Sequence, residues 1–151
     1  MRRPSTRSGR GERLAALPGL PEGRIVILAP AEPVSTGRVY GALDGFRPAA
    51  GEASERLAAA LREGTVPAPS EWLVNDLEAP AARVSAAVAA DQAAMAALGA
   101  AGGRLSGSGG AWFTVVPEAA AAGVQVAWAQ VWPGRASWIT RPVDYGWRRV
   151  G

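Results

Sequence analysis

The segment Arg104 to Thr114, RLSGSGGAWFT, sets glycines at 107, 109 and 110 beside Ser106 and Ser108. Glycine admits positive φ and close backbone approach, so successive N–H groups of such a run can converge on an anion next to the serine hydroxyls. The same residues also make an ordinary turn between two strands. A second segment, VSTGRVY at Val34 to Tyr40, puts Thr36 and Tyr40 four apart. In a helix that starts at Ser35 they share one face near its N-terminus. A hydroxyl beside a phenol ring can hydrogen-bond and stack a flat heterocycle, and the competing reading is a cap followed by a core tyrosine. Arg38 points away from that face and is expected in solvent. Asn75-Asp76-Leu77-Glu78 has the look of an acid/base cluster. Such residues in a first turn also cap a helix and complement its dipole, and nothing adjacent in sequence raises a carboxylate pKa, so capping is the expectation.

Much chemistry is absent by composition. All 16 basic residues of this 151-residue, 15.5 kDa chain are arginine, and there is no lysine, histidine or cysteine. That removes a Schiff-base lysine, a histidine base, a thiolate nucleophile, a phosphate-loop lysine and Cys/His metal sites. Codon bias toward arginine and alanine accounts for these absences without a functional cause. Lack of cysteine excludes a disulfide scaffold and fits a cytoplasmic location. The net charge of +3 is concentrated at one end: Arg2, Arg3, Arg7, Arg10 and Arg13 face only Glu12 over the first 13 residues, and the remainder is nearly neutral. A nucleic-acid binder would spread its basic residues over a folded face, so no nucleic-acid partner is expected. The opening MRRPSTRSGRG has no apolar core of a signal peptide, and no run approaches the length of a membrane span, so no membrane partner is expected. Residues 1–8 read as a disordered basic tail and 9–151 as one domain.

These residues need elements to hold them. RIVILA, Arg24 to Ala29, is a β-branched apolar run stopped by Pro30 and reads as a buried strand. Ser35 or Thr36 caps a short helix that ends near Gly45. Ala53 to Glu63, with Leu57 and Leu61 four apart behind a Ser54 cap, is an amphipathic helix, and Gly64 to Ser70 is a loop. From about Glu71 to Leu98 the pattern is helical, in one or two pieces, with Pro80 tolerated in the first turn and Val84, Val88, Met95 and Leu98 as the apolar stripe. Gly102 and Gly103 stop it. The glycine-rich turn then leads into a strand over Ala111 to Val116, a helix over Val124 to Val131 and a last strand over Ala136 to Arg141. The six tryptophans are too widely spaced for a stacking platform and are expected to complete a core short of bulky residues. This order is α+β, and its simplest layer solution is a small antiparallel sheet with helices packed on one face.

Read in order, GRGERL at 9–14, the strand ending in proline, VSTGRVY at 34–40, VNDLEAPA at 74–81 and GGRLSGSGGAWFTV at 102–115 resemble the C-terminal half of the 4-diphosphocytidyl-2-C-methyl-D-erythritol kinase family, within the GHMP kinase superfamily. The resemblance covers Gly9 to Phe113 and extends loosely over the tail. It implies a ferredoxin-like C-terminal domain that supplies part of the substrate wall of an ATP-dependent kinase in isoprenoid precursor biosynthesis. It makes Ser106, Gly107, Ser108, Gly109 and Gly110 the third superfamily motif, with Gly110 where many relatives carry proline or serine. It places Thr36 and Tyr40 in the cytidine pocket, Tyr40 as one slice of an aromatic sandwich. In the complete enzyme it implies ATP and Mg, held by an N-terminal domain that carries the ATP loop, a catalytic aspartate and a lysine; none of these has a counterpart here. The chain alone is therefore expected to be inactive, the product of a truncated gene, and marginally stable or self-associating where a partner domain would sit. No catalytic residue, metal site or cofactor is expected within it. The alternative is a free-standing, non-catalytic α+β module that binds a small molecule.

Overall fold

The computed structural model describes residues 5–8, 13–18, 23–43, 52–65 and 72–143. The central strand of the main sheet is β3, Arg24–Leu28, whose β-branched residues suit a pleated, buried position. It lies between β5 (Trp112–Val116) and β6 (Ser137–Thr140), and β4 (Arg104–Leu105) adds to the far side of β5. The order is β4-β5-β3-β6, with every pair antiparallel. Helices cover one face: α3 (Glu78–Val84), α4 (Ala86–Ala97) and α5 (Glu118–Val131). The α+β arrangement read from the sequence is thus the observed one.

The period of two in β3 and β5 divides the sheet's residues. Val26, Leu28, Trp112 and Val116 pack against Val88, Met95, Val124 and Trp128 from the helices in one core. On the other face Ile25 stands opposite Val115 and Thr140, and Ile27 opposite Phe113 and Trp138. The tryptophans divide accordingly. Trp112 and Trp128 are fully buried and Trp72 and Trp132 half-buried, whereas Trp138, expected in the core, lies on the face away from these helices with over half its surface in solvent. Trp147 lies outside the described residues.

Several element boundaries differ from the sequence reading for local reasons. The long helical stretch is broken twice. Leu73 to Asn75 is not helical, and Ser85 adopts an extended conformation (φ −136°, ψ 118°) that ends α3 and caps α4. Its hydroxyl accepts the Val88 N–H and donates to Glu32 Oε1, 3.0 Å away. The fifth helix begins at Glu118 instead of Val124, since Pro117 suits the start of a helix, where its missing N–H costs nothing, and the alanines after it propagate one. Helix α2, Glu52–Arg62, starts before Ser54, so that serine is not its cap. Leu57, Ala58 and Leu61 of α2 cluster with Leu17. At the start of the chain β1, Ser5–Ser8, pairs antiparallel with β2, Arg13–Ala16, so residues 5–8 are strand where a disordered tail was expected. Among the described residues no helix is long and apolar enough to cross a membrane.

Candidate functional site

Ser106 to Gly110, the glycine-rich residues expected to form the third motif, sit in the turn between β4 and β5. Ser106 N–H donates to Ala111 O at 2.7 Å and closes the turn, and Gly107 and Gly110 take φ of +60° and +82°. These are left-handed conformations in which a Cβ is costly. Gly110 is also walled in: a Cβ there would come within 3.1 Å of Val34 Cγ2 and 3.3 Å of Pro30 Cβ. The turn therefore packs on the connection between β3 and the short helix α1, Thr36–Gly41.

Helix α1 presents the second pair of expected site residues. Ser35 is its N-cap, with Oγ accepting from Arg38 N–H, and Val39 is fully buried, which fixes which side of the helix faces the core. Thr36 Oγ1 lies 2.9 Å from Ser108 Oγ across 72 residues of sequence. Tyr40, one turn further along the same face, keeps 57% of its surface exposed. The reading of Tyr40 as a packed core residue is thereby corrected: a phenol ring stands in solvent beside a helix whose first hydroxyl touches the glycine-rich turn. Arg38 is exposed, as its spacing suggested.

Two residues taken for helix caps do more. Asn75 is not the N-cap of α3; that position falls at Leu77, which has no side-chain cap. Its Oδ1 accepts the Leu77 N–H at 3.0 Å, while Nδ2 donates to Leu105 O at 2.8 Å and Gly107 O at 2.7 Å. Glu78 is buried. Burial pushes its carboxyl above the ordinary value of 4.5; the Arg104 guanidinium, the Leu105 N–H and Gln92 pull the other way without cancelling that effect. Arg104 Nη1 lies 3.9 Å from Glu78 and its Nε donates to Leu73 O. A carboxyl with a raised pKa thus lies directly behind the turn, contrary to the sequence expectation. The signal was an N-x-x-E placed just before a proline-bearing helix, but its partners are some 30 residues away and no local rule names them.

Residues 52–134 match the family described as GHMP kinases C terminal. The chain belongs to this family. Curated relatives of this GHMP kinase C-terminal chain are named 4-diphosphocytidyl-2-C-methyl-D-erythritol kinase. The protein from Granulibacter bethesdensis is 38% identical over 86% of this chain and 43% of its own length. That from Moorella thermoacetica is 38% identical over 73% of this chain and 40% of its own length. A solved structure described as 4-(cytidine 5'-diphospho)-2C-methyl-D-erythritol kinase aligns with 88% of this chain and 47% of its own, at 30% identity and a TM-score of 0.51. The GHMP kinase C-terminal chain therefore spans less than half the length of the relatives it matches.

Proposed function

We propose that this chain is the substrate-side domain of an ATP-dependent 4-diphosphocytidyl-2-C-methyl-D-erythritol kinase, and that these 151 residues by themselves do not turn over. The observation that carries the reading is the contact between Thr36 and Ser108. It joins the helix bearing an exposed tyrosine to the glycine-rich turn, so residues far apart in sequence form one wall. On that wall Tyr40 stacks the cytosine ring and Thr36 offers a hydroxyl to the nucleoside. The turn from Ser106 to Gly110 presents backbone N–H groups and serine hydroxyls to the diphosphate or to the transferred phosphoryl group.

The remaining chemistry comes from outside these residues. Phosphoryl transfer depends on positioning the nucleotide, neutralising charge at the transferred group and orienting the attacking hydroxyl. A chain with no lysine lacks the cation that would serve the phosphates as a point charge. Magnesium neutralises the phosphates when bound, but no three or more carboxylates converge to hold a metal among the described residues. No role in holding it is assigned to this chain.

Two measurements test the reading. In an ATP-dependent assay on cytidylylated methylerythritol the chain is expected to show no turnover, and activity that vanishes in Tyr40→Ala would overturn that. In calorimetric titration with cytidine 5'-diphosphate, Tyr40→Ala should weaken binding about 10- to 100-fold, given about 1–3 kcal/mol per stacked base. Equal affinity of the two proteins would remove Tyr40 from the pocket.

A further inference from the structure

Among the described residues strand β4 is an outer strand of the sheet, with no strand beside it on the side away from β5. In an antiparallel pair, residues alternate between those that exchange both bonds with the partner and those whose N–H and C=O point away from it. The bond from Ser106 N–H to Ala111 O places the adjacent pair, Leu105 and Trp112, in the second class. Both polar backbone groups of Leu105 are thereby turned to the open side, where such groups ordinarily meet water or another strand.

Here they meet two side chains three residues apart. Asn75 Nδ2 donates to Leu105 O and to Gly107 O, and the buried Glu78 carboxyl faces the Leu105 N–H. Gln92 faces Glu78 from α4, and Arg104 approaches it from the strand itself, Nη1 lying 3.9 Å from Oε1. The orientation of the Asn75 amide follows from its surroundings: reversed, Oδ1 would oppose two carbonyls and Nδ2 would oppose the Leu77 N–H. Two donors and one acceptor are needed at this position. Aspartate supplies only the acceptor, and serine too few donors.

We infer that Asn75 and Glu78 stand in for a missing strand along β4 and act as positioning residues for the glycine-rich turn. They hold the carbonyls of Leu105 and Gly107 inward, so that the far side of the turn keeps Ser108 against Thr36. The effect on ligand affinity rests on the pocket proposed above, whereas the geometry does not.

The test compares the full chain with Asn75→Asp and Asn75→Ala by ¹⁵N NMR and amide hydrogen exchange. Asn75→Asp retains the oxygen that accepts Leu77 N–H and removes both donors. The amide resonances from Leu105 to Gly110 should then shift, and Ser106 N–H should exchange at least about tenfold faster, while amides of α4 and α5 keep their protection. Unchanged turn resonances, or protection lost evenly across the core, would overturn the inference. Glu78→Gln keeps an acceptor for Leu105 N–H and should leave the turn nearly as in the wild type, whereas Glu78→Ala should disturb it; equal disturbance by both removes Glu78 from the pair. Titration with cytidine 5'-diphosphate separates the two proposals. A wild type that does not bind, with a turn that still shifts in Asn75→Asp, refutes the pocket and leaves the pair standing. A displaced turn with undiminished affinity refutes the positioning role alone; the expected result is affinity about tenfold weaker.

Discussion

At the scale of single residues, Glu78 is held where burial opposes its charge and Arg104 only partly answers it. Because the folded protein raises this pKa, the unfolded chain releases the proton first as pH rises from about 4.5. Stability contributed at this position is then present at low pH and falls as pH climbs through the raised value. Thermal melting of the wild type and Glu78→Gln across this range should show the difference, with the glutamine variant gaining on the wild type as pH increases. Parallel melting profiles would contradict the burial. Glu78 and Asn75 meet partners that no local sequence rule names. Thr36 and Tyr40 were legible because a four-residue spacing settles who shares a helix face. The partners of Asn75 lie at Leu105 and Gly107, and only the folded chain brings those carbonyls to its amide.

At the scale of elements, α4 is fastened to the end of α5 through a buried charge. Asp91 Oδ2 accepts from Arg135 Nη1 at 2.7 Å and Oδ1 from Trp132 Nε1 at 2.8 Å, while the Arg135 guanidinium lies 5.7 Å from the Trp132 ring centroid. Both ion-pair side chains are nearly buried, at 6% and 14% exposure. Asp91→Ala leaves the guanidinium and the indole N–H without their acceptor, so a loss of about 3 kcal/mol is expected in urea unfolding. A loss below about 1 kcal/mol would mean that water substitutes for the carboxylate. In the sequence Asp91 merely interrupts an alanine run, and the alanines hide which face is apolar. Strand β3 was readable because its β-branched residues are consecutive and a proline ends them. The start of α5 was not, because Ala119 to Ala122 carries no periodic contrast to show where the helix begins.

For the whole molecule, the proposed role as one side of a cleft is tested by adding the part of a relative that this chain does not match. Placing residues 9–151 behind the N-terminal part of the Granulibacter bethesdensis relative should yield ATP-dependent turnover of cytidylylated methylerythritol. Tyr40→Ala in that chimera should lower kcat/KM about 10- to 100-fold. A well-folded chimera without turnover, or one indifferent to Tyr40, would count against the assignment.

Residue types and short-range spacing alone settled the layer class, the strand Arg24–Leu28 and the sharing of one helix face by Thr36 and Tyr40, because each depends on backbone rules acting within a few positions. They also settled what this chain lacks, since no fold can supply a lysine that is not there. Tertiary structure decided which of these segments touch: Thr36 with Ser108, Asn75 with the turn, Glu78 with the outer strand. Those contacts join positions some 30 to 70 residues apart, and such pairings follow from how the layers close over a shared core instead of from any local preference.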